Sequence, residues 1–244
     1  MLLDFEPYKN KHIGQRVFIL GCAPSLTQER LDLLQGEQVI ACNKSFLATT
    51  HGLPDYSYFF LGDALVYKEL YTRWYPQLSA IKSPRFYSSK IADIMAEDNI
   101  AIKEDYIPIK KNYSNKLTVE RKGHPLSFDK GWGTTRTTPL DAAITAYFMG
   151  FREIYLLGVD LDYVLPDYKL AGNSKTHFYG SGPREHQLIG EVSKKNSRTW
   201  GRIQRTIGRL NEFYLTADTK FANLSKGFKH EDVMCTGTLE GVIK

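Results

Sequence analysis

The sequence predicts an α/β fold: a Rossmann-like, mostly parallel sheet flanked by helices, with two long loop excursions over the sheet's carboxyl edge. Three observations carry the prediction. Short runs of apolar β-formers, Val17–Leu20 and Glu153–Gly158 foremost, read as strands covered on both faces. These runs alternate with helical patterns, as βαβ units require. Small polar or glycine residues follow five of the runs, at the place where a strand hands over to the next segment.

The elements follow in order. Residues 1–15 form a polar lead-in with one amphipathic turn. Arg16–Leu20 is the first strand, and Gly21-Cys22-Ala23-Pro24-Ser25 is a tight turn into a helix over Ser25–Gln35, ended by Gly36. Ser25 is placed to cap that helix. Gln38–Cys42 is the second strand, and it ends at Asn43-Lys44-Ser45. Asp55–Leu61 is the third, closing on Gly62-Asp63 before a helix over Ala64–Trp74. Ser83–Tyr87 is a fourth strand, Ile91–Ala96 a helix, and Tyr106–Ile109 an edge strand, because its Pro108 cannot donate to a ladder. The Gly/Thr-rich stretch Gly131–Thr138 leads into a helix over Leu140–Met149, with Thr138 as cap and Pro139 in its first turn. Glu153–Gly158 is the next strand, Arg198–Tyr214 a helix with Trp200, Ile203, Ile207, Leu210 and Phe213 on one side, and Thr219–Ser225 the last strand. The two excursions fall at about residues 100–130 and 164–198, and the whole chain, 1–244, reads as a single domain.

Composition narrows the function classes. A hydrophobic content of 42% and a charged content of 24% describe a globular protein with a full core. No apolar run reaches membrane-spanning length, and Met1–Lys11 lacks a signal-peptide layout. The odd set Cys22, Cys42 and Cys235, with no C-x-x-C, reads as reduced thiols. Together these place the chain in the cytoplasm, with at most peripheral contact at the inner face of the membrane. The net charge of +5 is mild, with some concentration between Lys194 and Arg209. That concentration reads either as a solvated helix face or as attraction to an anionic ligand or membrane headgroups. No basic strip is interleaved with a nucleic-acid recognition motif, so nucleic acid is not an expected partner.

In a parallel sheet the five strand ends, Gly21–Ser25, Asn43–Ser45, Gly62–Asp63, Gly158–Asp162 and Asn223–Ser225, lie on one edge, and the Thr137–Thr138 helix start adds donors to it. This convergence points to a phosphate-bearing ligand. The expected nucleotide-binding residues are Gly21, Cys22, Ala23, Pro24, Ser25, Asn43, Asp63, Thr137, Thr138, Gly158 and Tyr163. Asp160-x-Asp162 has the spacing of a carboxylate pair that holds Mg2+ against a diphosphate; a turn-capping Asp160 with a solvated Asp162 explains it slightly better. His177 and Tyr179 are, with Asp160, the candidate catalytic residues, His177 as general base or as a donor to a leaving phosphate. Arg136 and Arg184 are placed to neutralise phosphate charge.

Two stretches carry a family resemblance. Val17–Leu26 with Asn43, and Thr137–Tyr163 with its Gly150-Phe151-Arg152-Glu153-Ile154-Tyr155-Leu156-Leu157-Gly158-Val159-Asp160, resemble the two motif regions of the bacterial lipooligosaccharide sialyltransferases. The same regions are similar to the 6-hydroxymethylpterin diphosphokinase-like family, and His177-Phe178-Tyr179 and Phe221–Ser225 are closer to that broader group. The matching pieces cover about half the chain. The sialyltransferase resemblance implies transfer of a sialic-acid-like sugar from a cytidine nucleotide to a surface glycan or lipid-linked acceptor, in a chain that can self-associate. Gly21–Ser25 and Asn43 then hold the nucleotide, and Tyr163, His177 and Tyr179 lie near the leaving phosphate or acceptor. The diphosphokinase resemblance implies ATP, with magnesium on Asp63, Asp160 or Asp162. A non-catalytic nucleotide-binding module is the third reading. The chain departs from the sialyltransferase pattern at Ala23, where that family has glycine, and near Ser181, where that family's histidine falls.

Overall fold

The computed structural model describes residues 3–112, 132–133, 135–162, 177–179 and 193–243. Its centre is a seven-stranded sheet. In chain order the strands are β1 (Arg16–Leu20), β2 (Val39–Cys42), β3 (Tyr58–Leu61), β4 (Arg85–Ser88), β5 (Ile107–Ile109), β8 (Glu153–Leu157) and β9 (Lys220–Asn223). Two short strands, β6 (Lys111–Asn112) and β7 (Trp132–Gly133), pair with each other outside it. The spatial order is β5-β4-β3-β2-β1-β8-β9, and every pairing in the sheet is parallel. From β1 the chain steps outward through β2 to β5, then returns to lay β8 on the other side of β1. The topological switch point therefore lies between β1 and β8, which run in register from Arg16 opposite Glu153 to Leu20 opposite Leu157. All five polar strand ends share the carboxyl edge.

The strands are short and fully covered. Val17 to Leu20, Val39 to Cys42, Tyr58 to Leu61 and Ile154 to Leu157 are all buried, which is why their sequences run apolar without alternation. One face is closed by α4 (Thr138–Phe148), whose Ala142, Ala143 and Ala146 are fully buried and admit the helix close to the sheet. Beside it runs α5 (Ser193–Thr216), with Ile203, Ile207, Leu210 and Tyr214 buried at helical spacing. The other face is covered over β3 and β4 by α1 (Ala64–Arg73), α2 (Tyr75–Ser79) and α3 (Ser89–Glu97), and over β1 and β8 by two 3-10 turns, Pro24–Gln28 and Leu31–Leu34. A short C-terminal helix, α6 (Leu239–Val242), packs on those turns; Leu239 is fully buried and the Val242 carbonyl accepts from Arg16, which also holds Glu37. Among the described residues no helix is long and apolar enough to cross a membrane.

Three local expectations change. The helix expected over Ser25–Gln35 is two 3-10 turns broken at Glu29–Arg30, because Pro24 and a run of residues tied into neighbouring segments leave too few turns for α-helix. The cap of α4 is Thr137, not Thr138: the Thr137 hydroxyl accepts from Leu140 N at 3.4 Å. The polar lead-in is anchored, since Phe5 is buried and Tyr8 and His12 pack on Phe86, Tyr58 and Phe151. Pro108 does lie in an edge strand, β5. Most of both expected loop excursions lies outside the described residues.

Candidate functional site

Around the switch point the polar residues of the carboxyl edge are spent on one another. Gly21 N donates to Leu157 O (2.8 Å) and Ala23 N to Gly158 O (2.9 Å), so the turn after β1 is stitched to the exit of β8. A Cβ on Gly21 would collide with the Gly158 carbonyl, so what approaches this glycine is the neighbouring strand, not a ligand. Gly158 itself has φ +63°, and its Cα faces Leu26 so closely that a Cβ would meet the leucine Cβ at 2.8 Å. Ser25 is buried inside the 3-10 turn. Its backbone N–H donates to Asp160 Oδ2 at 3.3 Å and its hydroxyl donates to Asp160 Oδ1. The expected role of Ser25 as a helix cap is thus replaced: the Asp160 carboxylate occupies the start of the turn, where a phosphate was expected.

Asp160 is buried, and Gly227 closes over it; a Cβ at Gly227 would stand 2.5 Å from the carboxylate carbon. Burial, the largest cause, holds its carboxyl above the ordinary range, against the pull of its bonds to Ser25. Asp162 does not join it. Leu161 has φ +62°, which breaks the extended run, and Asp162 Oδ1 lies 3.5 Å from His230 Nε2. Among the contacts of the described residues, the two carboxylates serve different partners. Asn223 and Ser225, at the end of β9, hold the same exit loop, with Val159 N donating to Ser225 Oγ (2.9 Å) and Asn223 Nδ2 donating to Val159 O (2.9 Å).

One step away, the edge is built differently. Asn43 sits in the left-handed region (φ +54°), which asparagine tolerates, and is half-buried. Its Oδ1 accepts from Gly62 N (3.3 Å) and its Nδ2 donates to Thr138 Oγ1 (3.2 Å). One side chain therefore joins the ends of β2 and β3 to the first turn of α4. Gly62 permits the contact, since a Cβ there would be 2.5 Å from Thr138 Oγ1. Asp63 caps α1 by accepting from Leu65 N (2.8 Å). Arg136, φ +75°, immediately precedes the α4 cap, and Thr135 is locked to Asp141 (2.8 Å), which fixes how that helix begins.

Two further segments lie beside these strand ends. Cys22, Ala23 and Pro24 are half-buried, and the Cys22 thiol donates to Cys42 O at 3.4 Å. Burial pushes that thiol up to about 12, against smaller downward effects from Lys44 and Tyr179. His177-Phe178-Tyr179 docks on the same turn: Phe178 N donates to Cys22 O (3.0 Å), and the Phe178 ring meets His51 edge-on at 5.8 Å. His177 stacks on Tyr179 at 5.0 Å, with the ring planes nearly parallel. Lys44 Nζ lies 4.7 Å from the Tyr179 ring centroid and pairs with Glu69 at 2.5 Å, its own side chain only 4% exposed.

The candidate residues thus divide. Cys22, Ala23, Pro24, Asn43, Asp63, Thr138, His177 and Tyr179 are half-buried residues of the carboxyl edge and of the segment docked on it, with Thr137 buried as the α4 cap. Gly21, Ser25, Gly158 and Asp160 are buried in the scaffold beside it. Tyr163, Ser181 and Arg184 lie outside the described residues. Among the described residues no three His, Cys, Asp or Glu side chains gather as a metal set. Sequence reasoning missed Lys44 as a partner of Tyr179, and Gly227 and His230 as partners of the two aspartates. No local pattern could have found them, since each partner is more than 60 residues away.

No protein-family model matches the chain, and no curated protein matches it. Solved structures do. The sialyltransferase CstII from Campylobacter jejuni, in complex with cytidine-5'-monophosphate, superposes with a TM-score of 0.51 at 15% identity, over 92% of this chain and 85% of that one. The same enzyme in complex with a trisaccharide acceptor and CMP gives 0.50 at 15% identity, over 90% and 85%. The MAf glycosyltransferase from Magnetospirillum magneticum AMB-1 gives 0.52 at 18% identity, over 96% of this chain but 37% of that one. At these identities the likeness is one of fold. It bears out the fold that the sialyltransferase resemblance implies, and none of these three structures is a pterin kinase.

Proposed function

We propose that this chain is a nucleotide-sugar glycosyltransferase of one α/β domain, and that its donor is a sialic-acid-like sugar on a cytidine nucleotide. The observation that carries the reading is the bridge Asn43–Thr138. It brings a half-buried amide and hydroxyl to the N-terminus of an eleven-residue helix, at the carboxyl edge of a parallel sheet. Such a helix end favours anionic phosphate, and Arg136 adds a formal positive charge next to it. The fold shared with enzymes whose structures hold CMP supports the choice of nucleotide. The acceptor is a surface glycan or a lipid-linked glycan, approaching past His177 and Tyr179.

In this reading the bond from the anomeric carbon to phosphate oxygen breaks through an oxocarbenium-like transition state. The phosphate leaves with its electron pair toward Thr138, Asn43 and the start of α4. The acceptor hydroxyl oxygen forms the new glycosidic bond and gives its proton to His177. Asp160 takes no step; it fixes the turn that carries Cys22–Pro24.

The experiment is a thermal-shift screen of CMP, CDP, UMP, UDP and ATP, with and without Mg2+, followed by a hydrolysis assay on the matching sugar nucleotide. Stabilisation by CMP and release of CMP from a CMP-sugar are expected. Stabilisation by ATP and magnesium alone overturns the reading, and binding of CMP with no turnover of any donor reduces it to a nucleotide-binding module.

A further inference from the structure

One helix of this protein carries a marked local excess of positive charge. The chain has 32 Lys and Arg against 27 Asp and Glu, whereas α5 alone carries six against one, Glu212, which leaves 26 of each sign elsewhere. The whole formal excess of +5 equals that of a single helix. Within it, Arg202, Arg205 and Arg209 follow at spacings of three and four, on one face. The buried set Ile203, Ile207, Leu210 and Tyr214 occupies the other. Arg205, Gly208, Arg209, Glu212 and Leu215 are exposed, and a Cβ built on Gly208 would meet nothing within 4 Å, so this face is uncovered by the described residues.

Its direction matters as well. The helix ends just before β9, whose first residue, Lys220, is registered with Glu153 at the amino edge of the sheet. Its earlier turns lie toward the carboxyl edge: the Trp200 ring stands 4.4 Å from His230, which is paired with Asp162 beside the exit of β8. The basic face therefore runs down the flank of the molecule from the edge that holds the candidate site.

We propose that the exposed face of α5 is a docking surface for an anionic membrane. Charge complementarity selects the occupant. A basic face with a single exposed large apolar side chain, Leu215 at 82% exposure, suits a layer of lipid headgroup charge and gives little to insert into acyl chains. Among the described residues, acids on or beside this face include Glu212, which Arg209 Nη1 meets at 3.1 Å, and the exposed Glu231 and Asp232 on the loop whose Val233 carbonyl is held by Asn211. Docked this way, the protein presents its carboxyl edge next to the bilayer, within reach of an acceptor carried on a lipid. The proposal stands on the charge distribution and does not depend on the nucleotide chemistry of the carboxyl edge.

The test is co-sedimentation of the full chain with vesicles of phosphatidylcholine alone, or mixed with phosphatidylglycerol at about two to one. Binding is expected only to the mixed vesicles, and it should fall steeply as salt rises from about 0.1 M to about 0.5 M. At about fivefold per basic residue near the surface, Arg205→Gln with Arg209→Gln should weaken partition by about thirtyfold. CMP stabilisation and the melting temperature should stay unchanged. The control pair Lys9→Gln and Lys82→Gln removes the same charge from exposed positions elsewhere and should cost only a small part of that. Equal binding to neutral vesicles overturns the proposal, as does wild-type partition by the arginine pair. Retention on a soluble anionic polysaccharide with no binding to either vesicle also overturns it, and assigns the face to a glycan. The salt and lipid dependence of the unaltered chain is read independently of any effect of substitution on folding.

Discussion

Around β1 and β8 the polar residues of the carboxyl edge are buried against one another; around β2, β3 and the start of α4 they stand half-buried at the surface. Ser25, Asp160, Asn223 and Ser225 belong to the first region, and Asn43, Asp63, Thr138 and Cys22 to the second. The residue types are alike, since both regions are small hydroxyl, amide and carboxylate side chains at strand ends. What separates them is how far they are closed in. In the first region every named bond runs to another strand-end residue, so the groups are a scaffold. In the second, one amide bridges three elements and stays half-buried at the surface. A strand-end polar residue therefore points to a ligand only where it stays half-buried at the surface after its bonds to neighbouring strand ends are made.

The largest effect should come from breaking the scaffold. Asp160→Ala leaves the Ser25 N–H and hydroxyl unmet in a buried place and should cost about 3 kcal/mol, a fall in melting temperature of roughly 6 to 12 °C. Asp160→Asn keeps an acceptor toward Ser25 and should cost under about 1 kcal/mol, because burial already disfavours the charged carboxylate. The raised folded pKa sets the sign with pH. Asp160 contributes most below its unfolded value, and that contribution is lost as pH rises through the folded value, so Asp160→Asn should flatten the fall in stability over that range. CMP binding should persist in both variants at temperatures where they are folded. A loss of binding in a fully stable Asp160→Asn protein would break the division between the two regions.

Next in size is the contact that shapes the open region. Gly62→Ala drives a methyl into Thr138 and should cost about 1 to 2 kcal/mol in denaturant unfolding. Combining it with Thr138→Ala removes the obstructed side chain and should recover most of that loss, a coupling that a double-mutant cycle measures directly. CMP affinity should not recover in the double variant, since the hydroxyl facing the ligand is gone.

Asn43→Asp separates binding from folding more cleanly. The carboxylate still accepts from Gly62 N, can accept from the Thr138 hydroxyl, and lies near the positive end of α4, so stability should hold or rise by about 0.5 kcal/mol. A negative charge at the same point repels phosphate, and CMP affinity should drop by about tenfold or more in calorimetry. Unchanged affinity would move the phosphate away from Asn43.

The sheet was legible because each strand is buried on both faces, which leaves an uninterrupted apolar signature such as Val17–Leu20, and because βαβ chirality and length restrict the order of neighbours. The common edge of the five strand ends followed from the same logic. The division of labour along that edge was not legible. Whether Asp160 meets a metal, a phosphate or Ser25 depends on contacts across 135 residues and on the φ of Leu161. Likewise, the helix expected from the Leu26–Leu34 spacing gave way to 3-10 turns because Ser25, Glu29 and Gln28 are tied to Asp160 and Lys226, contacts that local periodicity does not encode.

Cys22 stands on the border between the two regions and gives the finest measure of where the border runs. Its backbone belongs to the stitched turn, yet the residue is half-buried and its carbonyl accepts from Phe178 N. With the thiol pushed up to about 12, only about one molecule in ten thousand carries a thiolate there at pH 8. Iodoacetamide at that pH should therefore label exposed Cys235 first, with Cys22 far slower and buried Cys42 silent until unfolding. Mass spectrometry of timed samples resolves the three. CMP bound at the carboxyl edge should slow Cys22 further without changing Cys235. Equal rates at Cys22 and Cys235 would mean that the sulfur faces solvent, and that the open region extends under the β1 turn rather than stopping at its surface.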